Sequence, residues 1–158
     1  MRKFQYVVFS FQWDLEDGVV ENPKSEIRIR HRFERPGEYR VRLTVTDDSE
    51  TACNTAEDVV NIRVNSPPVA DAGGDREAYV GGAHDALLFD ASGSSDADGD
   101  PLTFYWDFGD GTAAQGQKVF HYFEKPGTYS VKLRVEDGTG LKSGVIRDEI
   151  TVRARLRK

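Results

Sequence analysis

The residues of this chain best suited to chemistry are the three aspartates of Asp96-Ala97-Asp98-Gly99-Asp100. Hard carboxylate oxygens crowded into one short loop suit calcium. The EF-hand template does not apply, because its sixth loop position needs glycine and Pro101 stands there. Without a metal, the same run reads as an acidic turn whose side chains cap backbone amides. A second pattern is cationic. Arg28, Arg30 and Arg32 alternate with Ile27, Ile29, His31 and Phe33, and Arg40 and Arg42 follow on the next expected strand. If neighbouring strands carry them, these five side chains share one exposed sheet face. Such a face fits an anionic polysaccharide, an acidic protein partner or the acidic surface of another unit. Balanced by Glu26, Glu34 and Glu38, it is a solvated face instead. Tyr105 and Tyr122 are the outward aromatics of their region and offer a sugar platform.

Other reactive residue types point away from catalysis. His31 and His121 fall in phase with inward-facing positions and have no cysteine, histidine or paired carboxylate at ligand spacing. Core histidines satisfied by backbone groups are expected at both places. Cys53 is the only cysteine, so neither an internal disulfide nor a cysteine pair for zinc can form. Its neighbours Thr51, Ala52, Asn54 and Thr55 read as a loop, which makes it a bystander thiol. Serine, histidine and acid do not combine into a triad, and no glycine loop is built to cradle phosphate. The chain reads as noncatalytic, with catalytic residues none.

Strands must position all of these residues. Leu102, Phe104, Trp106 and Phe108 alternate with polar neighbours, as do Tyr129, Val131, Leu133 and Val135. Phe9, Phe11, Trp13 and Leu15, and then Tyr39, Val41, Leu43 and Val45, repeat that pattern. A period of two marks half-buried strands, and no ten-residue helical stripe appears. Gly109-Asp110-Gly111, Pro126-Gly127 and Asp137-Gly138 supply turns between these runs. The repetition is also long-range. His31 to Asp47 matches His121 to Asp137 without a gap, at an offset of 90 residues, whereas Trp13 to Gly18 matches Trp106 to Gly111 at 93. A period of this length means tandem domains rather than solenoid units. Asn65-Ser66-Pro67-Pro68 is the joint, which places the domains at residues 1–66 and 67–158. Glu77 to Val80 and Asp85 to Asp90 are two further strand candidates ahead of Trp106. Only 12 residues precede Trp13, so the first unit is expected to lack its opening strands, which implies self-association, a supplied strand or truncation from a longer parent.

Composition narrows the partners. With 27 acidic and 21 basic residues the net charge is −6, which argues against nucleic acid. Met1-Arg2-Lys3 before Phe4 to Phe11 looks like a signal peptide only at first sight. Gln5 and Ser10 interrupt the apolar run and no small-residue cleavage site follows, so a strand is expected there and no membrane span.

Tyr105-Trp106-Asp107-Phe108-Gly109-Asp110-Gly111, His121-Tyr122-Phe123 and Gly127-Thr128-Tyr129-Ser130-Val131-Lys132-Leu133 together resemble the polycystic kidney disease (PKD) domain. Pro67-Pro68-Val69-Ala70 and Asp90-Ala91-Ser92-Gly93-Ser94-Ser95-Asp96 extend the likeness over the whole second unit. In the first unit it is degraded, with Glu16 where the motif has glycine. The resemblance implies all-β architecture, two tandem immunoglobulin-like (PKD-type) β-sandwiches, in an extracellular or cell-surface setting within a longer protein. It implies a noncatalytic spacer, adhesion or protein-interaction module, or else an accessory that binds polysaccharide or fibrous protein for a catalytic partner. Calcium-binding members hold the ion near the start of the domain. Carried over, their ligands are Asn65, Ser66, Asp96, Asp98 and Asp137, with Asp100 as a further candidate.

Overall fold

Alternating side chains fold into sheets throughout the computed structural model, which describes residues 9–22, 27–48, 54–80 and 85–157. The chain divides into two compact units, Met1–Val64 and Asn65–Lys158. Asn65 and Ser66, expected to close the first unit, belong to the second, because their side chains and the Ser66 amide bond to Asp137 and Asp98. Within the first unit β1 (Phe9–Asp14), β2 (Val20–Glu21), β3 (Gly37–Asp47) and β4 (Thr55–Val64) form one antiparallel sheet of order β2-β1-β3-β4. The strand expected from Phe4 begins its described part at Phe9; residues 4–8, Glu26 and Cys53 lie outside the described residues.

The second unit is a complete two-sheet sandwich. Its strands are β5 (Arg76–Val80), β6 (Leu87–Asp90), β7 (Thr103–Asp107), β8 (Ala113–Gln115), β9 (Lys118–His121), β10 (Gly127–Glu136) and β11 (Val145–Leu156). One sheet has the order β5-β11-β10-β7-β8, with β5 parallel to β11, and β6 pairs with β9 in the other. Phe89 of β6 crosses between the sheets and packs on Trp106 and Phe108, at ring-centre distances of 5.5 and 5.1 Å. Around it close Phe104, Val131, Leu133, Val135, Ile150 and Val152, all buried. Each large side chain so enclosed contributes roughly 1.5–3 kcal/mol, which is why this unit needs neither disulfide nor helix. Trp106 also donates its Nε1 hydrogen to the Gly116 carbonyl at 3.1 Å.

Equivalent positions in the first unit are more open. Val60, the counterpart of Ile150, is 53% exposed where Ile150 is 4%, and Phe9 is 51% exposed. Among its described residues only Leu15 and Val41 are buried. The sequence of residues 28–31 corresponds to β9, but that stretch pairs with no strand among the described residues.

Two polar devices occur once in each unit, and one of them corrects an expectation. Histidine satisfied by backbone was expected; instead His31 Nε2 donates to Asp17 Oδ2 at 2.6 Å and His121 Nε2 to Asp110 Oδ2 at 2.8 Å. The partner aspartates sit 14 and 11 residues upstream, so the unequal loop hides the pairing from a fixed spacing. His121 stacks flat on Phe108 at 3.9 Å, which places the pair at the rim of the core. The second device is a tyrosine corner: Tyr39 donates its hydroxyl to the Arg35 carbonyl and Tyr129 to that of Lys125, both at 2.8 Å.

Glu16 is the one non-glycine residue with positive φ among those described, at 55°. Its counterpart Gly109 has φ 73°, and a Cβ there would stand 2.5 Å from the Ser130 carbonyl. The first unit uses the side chain instead: Glu16 Oε2 accepts the Arg40 amide at 3.0 Å, and Arg40 is the counterpart of Ser130. Removing that carboxylate in Glu16→Ala is expected to destabilise the first unit by about 1 kcal/mol in urea titration. Glu16→Gly costs less, since glycine recovers part of the positive-φ strain. Equal losses in the two variants would show that the hydrogen bond and the strain are not in opposition.

Acid exposes a second dependence. The Lys118 ammonium, 2.8 Å away, and then the Ser92 hydroxyl and amide hold the Asp90 carboxyl down to about 2. Burial pushes the Asp110 carboxyl up, but the hydrogen bonds from Thr112 and His121 outweigh it and leave it below the usual value. Carboxyls depressed in the folded state stabilise it fully above their unfolded pKa and lose that contribution as pH falls through the folded value. Stability of the second unit therefore falls between about pH 4 and pH 2. Urea titrations across that range are expected to show the decline, and a shallower one in Asp90→Asn; a rise on acidification contradicts the account.

Candidate metal centre

The loop joining β6 to β7 folds back on its own aspartates. Asp96 Oδ1 accepts the amides of Asp98 at 2.8 Å and Asp100 at 3.2 Å, and Gly99, at φ 76°, allows the tight turn. This brings carboxylate oxygens of Asp96, Asp98 and Asp100 within 4.8 Å of one another. The chain entering the unit meets them there. Asp98 takes the Ser66 amide on Oδ2 at 2.7 Å and the Ser66 hydroxyl on Oδ1 at 3.1 Å. Asn65 donates through Nδ2 to Asp137 Oδ2 at 2.7 Å and to the Ser66 carbonyl at 2.9 Å.

Asp137 directly follows β10 and is 2% exposed. The Thr139 hydroxyl, at 2.7 Å, holds its carboxyl below the usual range; burial opposes this, and the Thr139 amide and Asn65 add to the lowering. A Cβ on Gly144 would lie 2.1 Å from Asp137 Oδ1, so only glycine lets that backbone come so close. Asp137 thereby orients Asn65, and Thr139 and Gly144 support Asp137. Neither supporter was singled out from sequence. Thr139 was legible, since Asp-x-Thr favours a turn in which hydroxyl and amide both bond the aspartate; Gly144 was not, because its neighbour comes from another strand end.

Two buried oxygens at this place have no hydrogen-bond partner among the described residues: Asn65 Oδ1 and Asp96 Oδ2. An unsatisfied buried acceptor costs about 1–3 kcal/mol, more for a charged one. One amide carbonyl and the carboxylates of Asp96, Asp98 and Asp100 make an all-oxygen donor set, which suits a hard divalent cation. The residues present fit such an ion: Asp96, Asp98 and Asp100 converge, Ser66 bonds to Asp98, and Asn65 beside it bonds to Asp137.

The arginines do not assemble as expected. Arg40 and Arg42 lie on β3, whose neighbours are β1 and β4, whereas Arg28, Arg30 and Arg32 lie on a segment in neither neighbouring position. Five side chains on one sheet face is therefore corrected to two separate groups. The expectation failed because consecutive strands in such a sandwich need not pair. Tyr105 is half-buried on β7 with the Arg134 guanidinium 4.1 Å over its ring, so that face is already covered. Tyr122 is 62% exposed beyond β9, apart from Tyr105. Phe120, 73% exposed, and Tyr79, 49% exposed, are outward aromatics that the sequence reading missed.

Comparison with known proteins agrees with this architecture. The family model described as PKD domain matches residues 5–62 and again 65–152. The chain is 33% identical over 112 residues to Collagenase ColA of Clostridium perfringens, covering 71% of this chain and 9% of that protein. It is 30% identical over 148 residues to the Dyslexia-associated protein KIAA0319 homolog of Mus musculus, covering 86% of this chain and 13% of that protein. It thus spans only about a tenth of the length of these curated relatives. Among solved structures, the PKD1 domain of Vibrio anguillarum Epp is similar at 23% identity and a TM-score of 0.47, over 60% of this chain and all of that one. Matched twice and over most of its length, the chain belongs to the PKD domain family as a tandem pair of β-sandwich units.

Proposed function

We propose that the chain is a noncatalytic extracellular spacer and protein-interaction module of a surface or secreted protein, braced by calcium where the second unit begins. The observation that carries the brace is the pair of buried oxygens Asn65 Oδ1 and Asp96 Oδ2, unpartnered among the described residues, where the carboxylates of Asp96, Asp98 and Asp100 converge. A bound ion would be held by Asn65, Asp96, Asp98 and Asp100, with Ser66 and Asp137 positioning the entering chain. It supplies charge neutralisation and crosslinking, not reaction chemistry. Extracellular modules bind calcium at about 10⁻⁴ to 10⁻³ M, in keeping with an exposed, partly preformed site. Among the described residues no helix is long and apolar enough to cross a membrane.

A second reading has its own support. Similar segments occur in proteins named collagenase, which favours an accessory that binds a fibrous protein or polysaccharide for a catalytic partner. Cosedimentation of the whole chain with insoluble collagen separates the two: retention in the pellet favours the accessory, and none favours the spacer.

Thermal unfolding tests the brace. Calcium at about a hundredfold excess over its dissociation constant adds roughly 2.7 kcal/mol, worth about 10 °C or more in a unit of this size. Chelator is expected to lower the second unit's midpoint by that amount, and Asp98→Ala to abolish the calcium response. An unchanged wild-type midpoint with and without chelator rules the brace out.

A further inference from the structure

The outward face of the five-stranded sheet carries one row of side chains in direct register across four strands. Gln115 of β8 lies opposite Tyr105 of β7, Tyr105 opposite Arg134 of β10, and Arg134 opposite Arg147 of β11. Like charges directly opposite on neighbouring strands are destabilising. Arg134 is partly compensated, because its Nη1 donates to Glu136 Oε1 and its guanidinium rests on the Tyr105 ring. Arg147 is exposed and forms no ion pair among the described residues. The fold does not demand this arrangement. In the first unit the same row reads Gln12, Thr44 and Glu57, and Thr44 donates its hydroxyl to Glu57 at 3.4 Å. A shallow groove of about 540 Å³ runs over the row in the second unit and is walled also by Ala114, Lys132 and, directly opposite Lys132, Asp107, which offsets the lysine and leaves the arginines as the cationic part.

The geometry points to a binding site for an acidic polysaccharide, with a uronate carboxylate seated at Arg147 beside Arg134. A planar guanidinium fork matches a carboxylate with two parallel hydrogen bonds. Gln115 and the Tyr105 hydroxyl add donors and acceptors for sugar hydroxyls. A peptide is the poorer occupant. Around the anchor the row lies on the paired inner strands β11, β10 and β7, whose amides and carbonyls are spent in the ladder, so the main-chain hydrogen bonds that give peptides affinity at a sheet edge are unobtainable there; only Gln115 stands on an edge strand, β8. The Tyr105 ring is not a stacking platform, since Arg134 covers it; Arg147 is the anchor.

The whole chain tests this by isothermal titration at low salt with no added calcium, using polygalacturonate as probe and neutral dextran and poly-L-glutamate as controls. Polygalacturonate alone is expected to bind, and Arg147→Gln to weaken it about tenfold or more through loss of charge-assisted hydrogen bonds. Circular dichroism and the unfolding midpoint of that variant are expected to show a native fold. No binding by the wild-type chain, equal binding of poly-L-glutamate, or wild-type affinity in Arg147→Gln overturns the proposal. Neither the probe nor the variant touches the aspartate cluster, so the outcome is independent of the calcium brace.

Discussion

Phe89 reaching across from β6 onto Trp106 and Phe108 is the interaction on which the rest of the second unit depends. A sheet with alternating side chains has one apolar face, and that face is stable only when another layer covers it. With β6 and β9 in place, Trp106, Leu133 and Val131 are essentially excluded from water and their strands are held in one register. Trp13, Leu43 and Val41 keep that register in the first unit, yet Trp13 and Leu43 are only half-buried. Trp13 Nε1 finds no partner among the described residues, while Trp106 Nε1 has the Gly116 carbonyl. Among the described residues the two copies thus show the same sheet with a second layer of strands and without one.

Polar groups at the edges of this packing are arranged by a common rule: a carboxylate acceptor is met by a donor from another segment of the chain. Asp110 meets His121, Asp148 accepts the Ala72 amide at 2.8 Å, and Asp75 accepts that of Thr151 at 2.8 Å. Each link ties a loop to a strand without adding apolar area. The aspartate cluster departs from the rule, since two oxygens there, at Asn65 and Asp96, are left unmet among the described residues. That departure, rather than the number of acids, separates a candidate ion site from an acidic turn.

Much of this was legible in the residues themselves. The period of two in Leu102 to Phe108 and Tyr129 to Val135 corresponds to inward faces in the structure, and the gapless match from His31 to Asp47 corresponds to equivalent strands β3 and β10. The meeting of Asn65 and Ser66 with Asp98 and Asp137 was accessible through family resemblance, not through spacing, because 72 and 32 residues separate the partners. Strand adjacency was the hardest to read. Arg28 to Arg32 looks like a neighbour of β3 in the chain, and nothing local says that a sandwich sends consecutive strands to opposite layers. The histidine partners were hidden similarly, by a loop three residues longer in one copy.

One feature of the second unit bears on how it would behave within a longer chain. β5 and β11, its first and last strands, lie side by side and parallel, from Arg76 opposite Val152 to Val80 opposite Leu156. Tension along the backbone, once past the short bridge of Val69 to Ser95, would pull β5 from its Arg76 end and β11 from its Leu156 end, in opposite directions along the ladder. The rungs between them are then loaded together in shear, whereas a hairpin pulled at its open end gives way one rung at a time. Parallel pairing of the terminal strands makes this unit a mechanical clamp by topology alone.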